Sequence, residues 1–160
     1  MQAIHFSLLL HLVAFGILSS VIVGGWILNA QYFRALDYGA KLQVLRQTRP
    51  FGLLSPFSIA LFLLSGIGNM VLGGRGYTIF SESWLTAKIA IFVVVAAIGI
   101  FSGIRSKQRT RLVEQMALGK APHGTAESLN SLDIQQRWFL IIQTLLILII
   151  LTLSVSKPHA

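Results

Sequence analysis

The 160-residue chain has no cysteine, which excludes disulfides, thiolate-held metals and iron–sulfur clusters within this sequence. Any metal or haem site must rest on His, Met, carboxylate or amide groups. Charge is scarce as well. Only 11% of residues are charged, against roughly a quarter in a soluble domain, too few to cover a water-facing surface. Acidic residues are the scarcest, five against thirteen Lys and Arg, for a formal net charge of +8. No nucleic-acid recognition motif accompanies that excess, so no nucleic acid partner is expected. The opening MQAIHFSLLLHL lacks the positive n-region and the A-x-A-like site of a signal peptide. Its apolar run also exceeds the roughly 7–15 residues of an h-region, and it is expected to persist as a helix.

What the chain has is apolar length: 54% of residues are hydrophobic and the mean hydropathy is +0.74. Four unbroken runs approach the roughly 20 residues needed to cross a bilayer, at about 4–29, 53–72, 84–104 and 138–155. They do not alternate as barrel strands must. The expected fold is therefore all-α, a single-domain integral membrane four-helix bundle over 1–160. The first connection carries Phe33, Leu36, Ala40 and Val44 at helical spacing and is expected to lie along the interface as an amphipathic helix ended by Pro50. The second, GGRGYTIFSES, is short, making spans two and three antiparallel neighbours. The third, 105–137, reads as a basic helical extension followed by a polar loop around GKAPHGTAESLNS.

The basic residues are unevenly placed. Ten lie in the first and third connections: Arg34, Lys41, Arg46, Arg49, Arg105, Lys107, Arg109, Arg111, Lys120 and Arg137. Only Arg75 and Lys157 lie on the opposite side, and Lys88 falls inside a span. The positive-inside rule then puts both termini on the non-cytoplasmic side, in a bacterial inner membrane with periplasmic termini. Trp26 and Trp138 are expected at the cytoplasmic interface and Trp84 at the other.

Polar groups inside spans are costly and mark candidate sites. At about 1.5 Å per residue, His11 lies roughly 10 Å and Lys88 roughly 6 Å below the outer surface. Asn69 and Met70 sit at the outer end of the second span. Three helices thus converge on a His11, Lys88, Asn69 and Met70 pocket in the outer leaflet. At about 100° per residue, each helix also has one polar stripe. These are Ser7, His11, Leu18, Gly25 and Asn29 on the first span, and Ser55, Ser58, Phe62, Ser65 and Asn69 on the second. Lys88, Phe92, Val95, Gly99 and Ser102 form the third stripe, and Gln136, Gln143, Ile150 and Ser154 the fourth. All four should point inward. Opposite His11, Gly16, Ser20 and Gly24 have the small-xxx-small spacing of a helix interface. They are expected to meet a second copy or another membrane protein.

The first span HLVAFGILSSVIVGGW, the entry RQTRPFGLLSPFSIALFLLSG and the third-span start WLTAKIAIF resemble a group of small bacterial four-helix membrane proteins. That group includes the HemJ-type protoporphyrinogen oxidases and the membrane domain of CopD-type copper-resistance proteins. The resemblance implies a functional pair, His11 and Lys88, and haem or another tetrapyrrole as ligand, with His11 as the haem ligand and Lys88 pairing a propionate. The chain departs from the HemJ pattern in having NAQYFRAL for the usual Pro-Arg-Leu and QQRWFLIIQ for Asn-Glu-x-Pro. Two other classes fit the inventory: a non-catalytic accessory subunit of a larger respiratory or photosynthetic membrane complex, and a component of copper or metal transport.

Overall fold

A computed structural model describes residues 2–73 and 83–155. The connection bearing Arg75, the Trp84 side chain and the tail with Lys157 and His159 lie outside the described residues. The order is α1 (Gln2–Arg34), α2 (Tyr38–Gln47), α3 (Arg49–Leu72), α4 (Ser83–Ala117) and α5 (Thr125–Val155). Four of the helices are long and apolar enough to span a membrane. Between 6% and 17% of each apolar stretch is buried inside the chain, so most span side chains are left for lipid or a partner. Phe6, Leu12, Leu64 and Phe101 are among the exposed ones.

The helices overrun the expected spans. At 33 and 35 residues, α1 and α4 extend about 50 Å, well beyond a hydrocarbon core of about 30 Å. The excess of α1, α4 and α5 gathers at one end, called here the basic end. There the chain turns tightly. Asp37 caps α2 by accepting the Ala40 N–H at 2.7 Å, the short-side-chain capping that satisfies a first-turn donor. The C-terminus of α4 closes with Lys120 N–H on the Gln115 carbonyl and Gly119 N–H on the Met116 carbonyl. Gly119 takes φ +66°, the left-handed residue such a double closure needs.

One expected loop is largely replaced by helix, and one expected helix packs differently. The third connection shrinks to 118–124, because α5 begins at Thr125. In the first connection, α2 packs its apolar side on protein. Leu45 is buried with Tyr32, Val113 and Leu129, and Leu42 and Val44 pack on the same cluster. The extended α4 and α5 supply a protein surface for the apolar face that the sequence suggested was bound for lipid. Leu36 falls between α1 and α2 and is 100% exposed. Pro50 sits in the first turn of α3 instead of ending α2, where its missing N–H costs nothing.

Around the bundle the order is α3, α1, α5, α4. α1 packs chiefly on α3 and α4 on α5, while α3 and α4 scarcely touch. Close approach of α1 to α3 depends on glycine: a Cβ at Gly68 would fall 2.7 Å from the Ser7 hydroxyl oxygen. α5 is tied to α1 by Trp26, whose Nε1–H donates to Thr144 at 2.9 Å. That bond occupies the polar edge Trp26 was expected to offer the interface.

Candidate functional site

The polar stripes face inward over most of their length, with Ser154 at the end of the fourth exposed. Ser7, Leu18 and Asn29 of α1, Ser58 and Ser65 of α3 and Val95 of α4 are all buried. On α5, Gln136 donates to the Ser102 hydroxyl at 2.9 Å. Ser102 and Gln136 thus join the α4 and α5 stripes across the interior.

At the end bearing the termini, His11 Nδ1 lies 3.0 Å from Ser65 Oγ. The Ser65 hydroxyl is also 2.7 Å from the Leu61 carbonyl; when it donates there, its oxygen accepts the His11 Nδ1–H. That tautomer leaves the lone pair on Nε2, the arrangement of a histidine whose second nitrogen is oriented for a metal or a proton. The imidazole stacks on Phe62 at 4.0 Å, and Phe62 on Phe92 at 5.2 Å. Lys88 is one turn before Phe92 on the same helix face, near enough for its charge to act on His11. Asn69 is one turn beyond Ser65 and its Oδ1 is buried without a partner among the described residues. Met70 is half-buried, about 100° round the helix from Asn69.

Among the described residues, the space beside Phe62 and Phe92 is small. The space enclosed by Phe15, Phe62, Phe92, Val95 and their neighbours is about 10 Å³, enough for one water. No group of three or more His, Cys, Asp or Glu side chains is placed to hold a metal among the described residues.

The larger space is elsewhere. Between α3 and α4, toward the basic end, lies a crevice of about 700 Å³. Ile59, Ala60, Pro56 and Ala96 give it apolar walls, and Leu63 and Ile100 also line it. The last two are 48% and 65% exposed, so the crevice opens to the side of the bundle. Glycines keep it wide: a Cβ at Gly52 or Gly103 would meet nothing within 4 Å.

Its deep end is polar. Asn29, Tyr32, Lys107, Arg109 and Gln136 line it with no carboxylate in the wall. Behind the wall, Arg109 Nε donates to Asp133 Oδ1 at 2.6 Å and the Tyr32 hydroxyl donates to Oδ2 at 3.3 Å. The Arg109 guanidinium lies 3.7 Å over the Tyr32 ring, a cation–π contact strengthened by desolvation. Arg109 is 4% exposed and Asn29 6%. Even so, Arg109 Nη2, Asn29 Oδ1 and Gln136 Oε1 are buried without a partner among the described residues. Each such orphan costs about 1–3 kcal/mol, and all three atoms are sealed behind the crevice wall.

The partner stripe divides. Gly16 is open, and Ser20 is exposed with its hydroxyl turned back onto the Gly16 carbonyl at 2.9 Å. Gly24 instead packs inside the chain, where an added Cβ would lie 2.6 Å from the Phe51 ring.

The chain matches no protein-family model, no curated protein and no solved structure. The likeness to the HemJ and CopD groups therefore rests on the quoted residues alone, and the argument for a site rests on geometry. That geometry was partly visible in the sequence: continuing the inward stripes by one turn or two reaches Tyr32 from Asn29, Asp133 from Gln136 and Arg109 from Ser102.

Proposed function

We propose that this chain is an integral membrane binding protein that holds one amphipathic molecule, taken sideways from the bilayer, in the crevice between α3 and α4. The observation that carries this reading is an apolar, laterally open space of about 700 Å³ whose deep end is lined by Asn29, Arg109 and Gln136 and by no carboxylate. Apolar walls with a few convergent polar groups are the usual character of a small-molecule site. A lipid-like tail suits the walls, and a polar head suits the deep end. In this reading the basic end faces the cytoplasm, following its ten Lys and Arg residues, and the head sits at that side.

The test is chemical identification of whatever stays with the protein through purification in mild detergent. Gly103 lines the crevice and a Cβ there meets nothing within 4 Å, so Gly103→Trp starts from open space and adds bulk at the wall. Wild-type protein is expected to retain a stoichiometric amphiphile and Gly103→Trp to lose it with the helical content unchanged. Equal retention by both would place the molecule elsewhere.

A second reading is favoured by the tautomer of His11. With Nδ1–H held by Ser65, Nε2 is free to accept a proton or to ligate a haem or other tetrapyrrole lying against α1, with Lys88 taking an anionic substituent. The open Gly16 and Ser20 surface would then bring the second copy or partner that such a site needs. A Soret band that disappears in His11→Ala supports it; a colourless protein with added haem excluded sinks it.

A further inference from the structure

We infer that the crevice selects a phospholipid of net negative charge from the leaflet at the basic end, and that Lys107 is the residue that selects it. The inference rests on the crevice reading above and adds the charge of the head and its protein partner.

The two cations in the crevice wall differ in what they offer a ligand. Arg109 is 4% exposed, its charge is matched by Asp133 at 2.6 Å, and its unpartnered nitrogen is sealed. It balances a carboxylate and touches nothing in the crevice. Lys107 lines the same crevice, is exposed and forms no ion pair among the described residues. Its ammonium is a compact charge on a flexible four-carbon stem, able to follow a mobile head. Ser106, one residue before it, also lines the wall and is half-buried, adding a hydroxyl that can donate to an anion. The nearest carboxylate along α4, that of Glu114, is about 10 Å further along the axis, beyond a Debye length of about 8 Å. The crevice therefore presents one uncompensated positive charge, and a head with one net negative charge completes it.

The length of the crevice selects the leaflet. It runs along α4 between Ala96 and Lys107 and along α3 between Gly52 and Leu63. Each stretch is about 16 Å long, half of a hydrocarbon core of about 30 Å. Beyond it Phe62 stacks on Phe92 at 5.2 Å, which joins α3 to α4 and closes the gap toward the other leaflet. Polarity runs the same way: along α4 the wall passes from Ala96 and Ile100 to Ser106 and Lys107. An acyl chain lies along the first pair while its head reaches the second. A lipid of the opposite leaflet would meet the closed end first.

Native mass spectrometry of the delipidated full chain tests this with phosphatidylglycerol, phosphatidylethanolamine and phosphatidylcholine of matched acyl chains, and with inorganic phosphate as competitor. Phosphatidylglycerol, the one lipid of net negative charge, is expected to bind about fivefold tighter than the other two, the worth of one lysine at a membrane surface. The two zwitterionic lipids are expected to bind alike. Lys107→Gln is expected to remove the preference and Lys107→Arg to keep it. Lys120→Gln takes a charge from the same end but outside the crevice wall, and is expected to keep the preference as well. A preference that survives Lys107→Gln, or that Lys120→Gln weakens equally, would overturn the inference and assign the effect to the general positive potential of the basic end. Displacement of phosphatidylglycerol by inorganic phosphate at equal concentration would overturn it too, making the site one for a free anion. Gly103→Trp separates the inference from the reading beneath it. Weaker binding of all three lipids is expected, and undiminished binding of all three would overturn the crevice reading itself.

Discussion

At the basic end, Tyr32, Leu45, Val113 and Leu129 close into a buried cluster around which Arg109, Asp133 and Lys41 are arranged. Across the spans, by contrast, the buried contacts are few and α3 stands apart from α4. The same chain thus contains a water-type core and a lipid-type one. At the basic end, exposed apolar surface would be driven together at about 25 cal/mol per Å². In the bilayer, lipid tails are as apolar as leucine, so no such force draws α3 to α4. What holds the spans is shape and hydrogen bonding: Ser7 donating to the Ser65 carbonyl at 3.1 Å, Trp26 on Thr144, and glycine where the helices cross. A crevice can survive in the spans for a reason that would have closed it in water.

The contrast can be broken hardest at its ion pair. Arg109→Leu leaves Asp133 buried without its cation and is expected to destabilise the fold by about 3–5 kcal/mol in chemical unfolding from micelles. Leu45→Ala opens the apolar cluster beside it, with an expected loss of about 2–4 kcal/mol in the same assay. Moving into the spans, Gly24→Leu drives a side chain into Phe51 and is expected to cost about 1–3 kcal/mol. Gly16→Leu, with nothing within 4 Å, should leave the monomer intact and report only on association, read by crosslinking in membranes. Tyr32→Phe removes the hydroxyl bond to Asp133 and keeps the ring under Arg109, for an expected loss of about 1 kcal/mol.

Hydropathy made the four spans legible because each is an uninterrupted apolar run, and helical periodicity made the inward stripes legible, as Ser65, Val95 and Gln136 show. The ends of the helices were not legible from hydropathy, which falls at Asn29 and Ile104 although the backbone continues as helix to Arg34 and Ala117. Beyond those points the helices are held by contacts distant in sequence, such as Arg109 with Asp133, which local pattern does not encode. The same blindness led α2 to be read as a lipid-facing helix: its apolar spacing is real, but the surface that covers it comes from α4 and α5. His11 was found through its residue type, and its hydrogen-bonded tautomer only through Ser65 on another helix. The crevice had no sequence signal of its own, since it arises from two helices that touch at Phe62 and Phe92 and part toward the basic end.

The parting of α3 from α4 is what the binding reading depends on, and the absence of native cysteine makes it directly measurable. Ser7→Cys with Gly68→Cys places two Cβ atoms 3.7 Å apart, the separation a disulfide requires. Gly52 of α3 and Gly103 of α4 both line the crevice, with nothing within 4 Å of a Cβ at either. Under mild oxidation in native membranes, the first pair is expected to close completely and the second to remain reduced. Rapid disulfide formation by Gly52→Cys with Gly103→Cys, at the rate of the control pair, would show that the two helices meet and that no crevice exists between them.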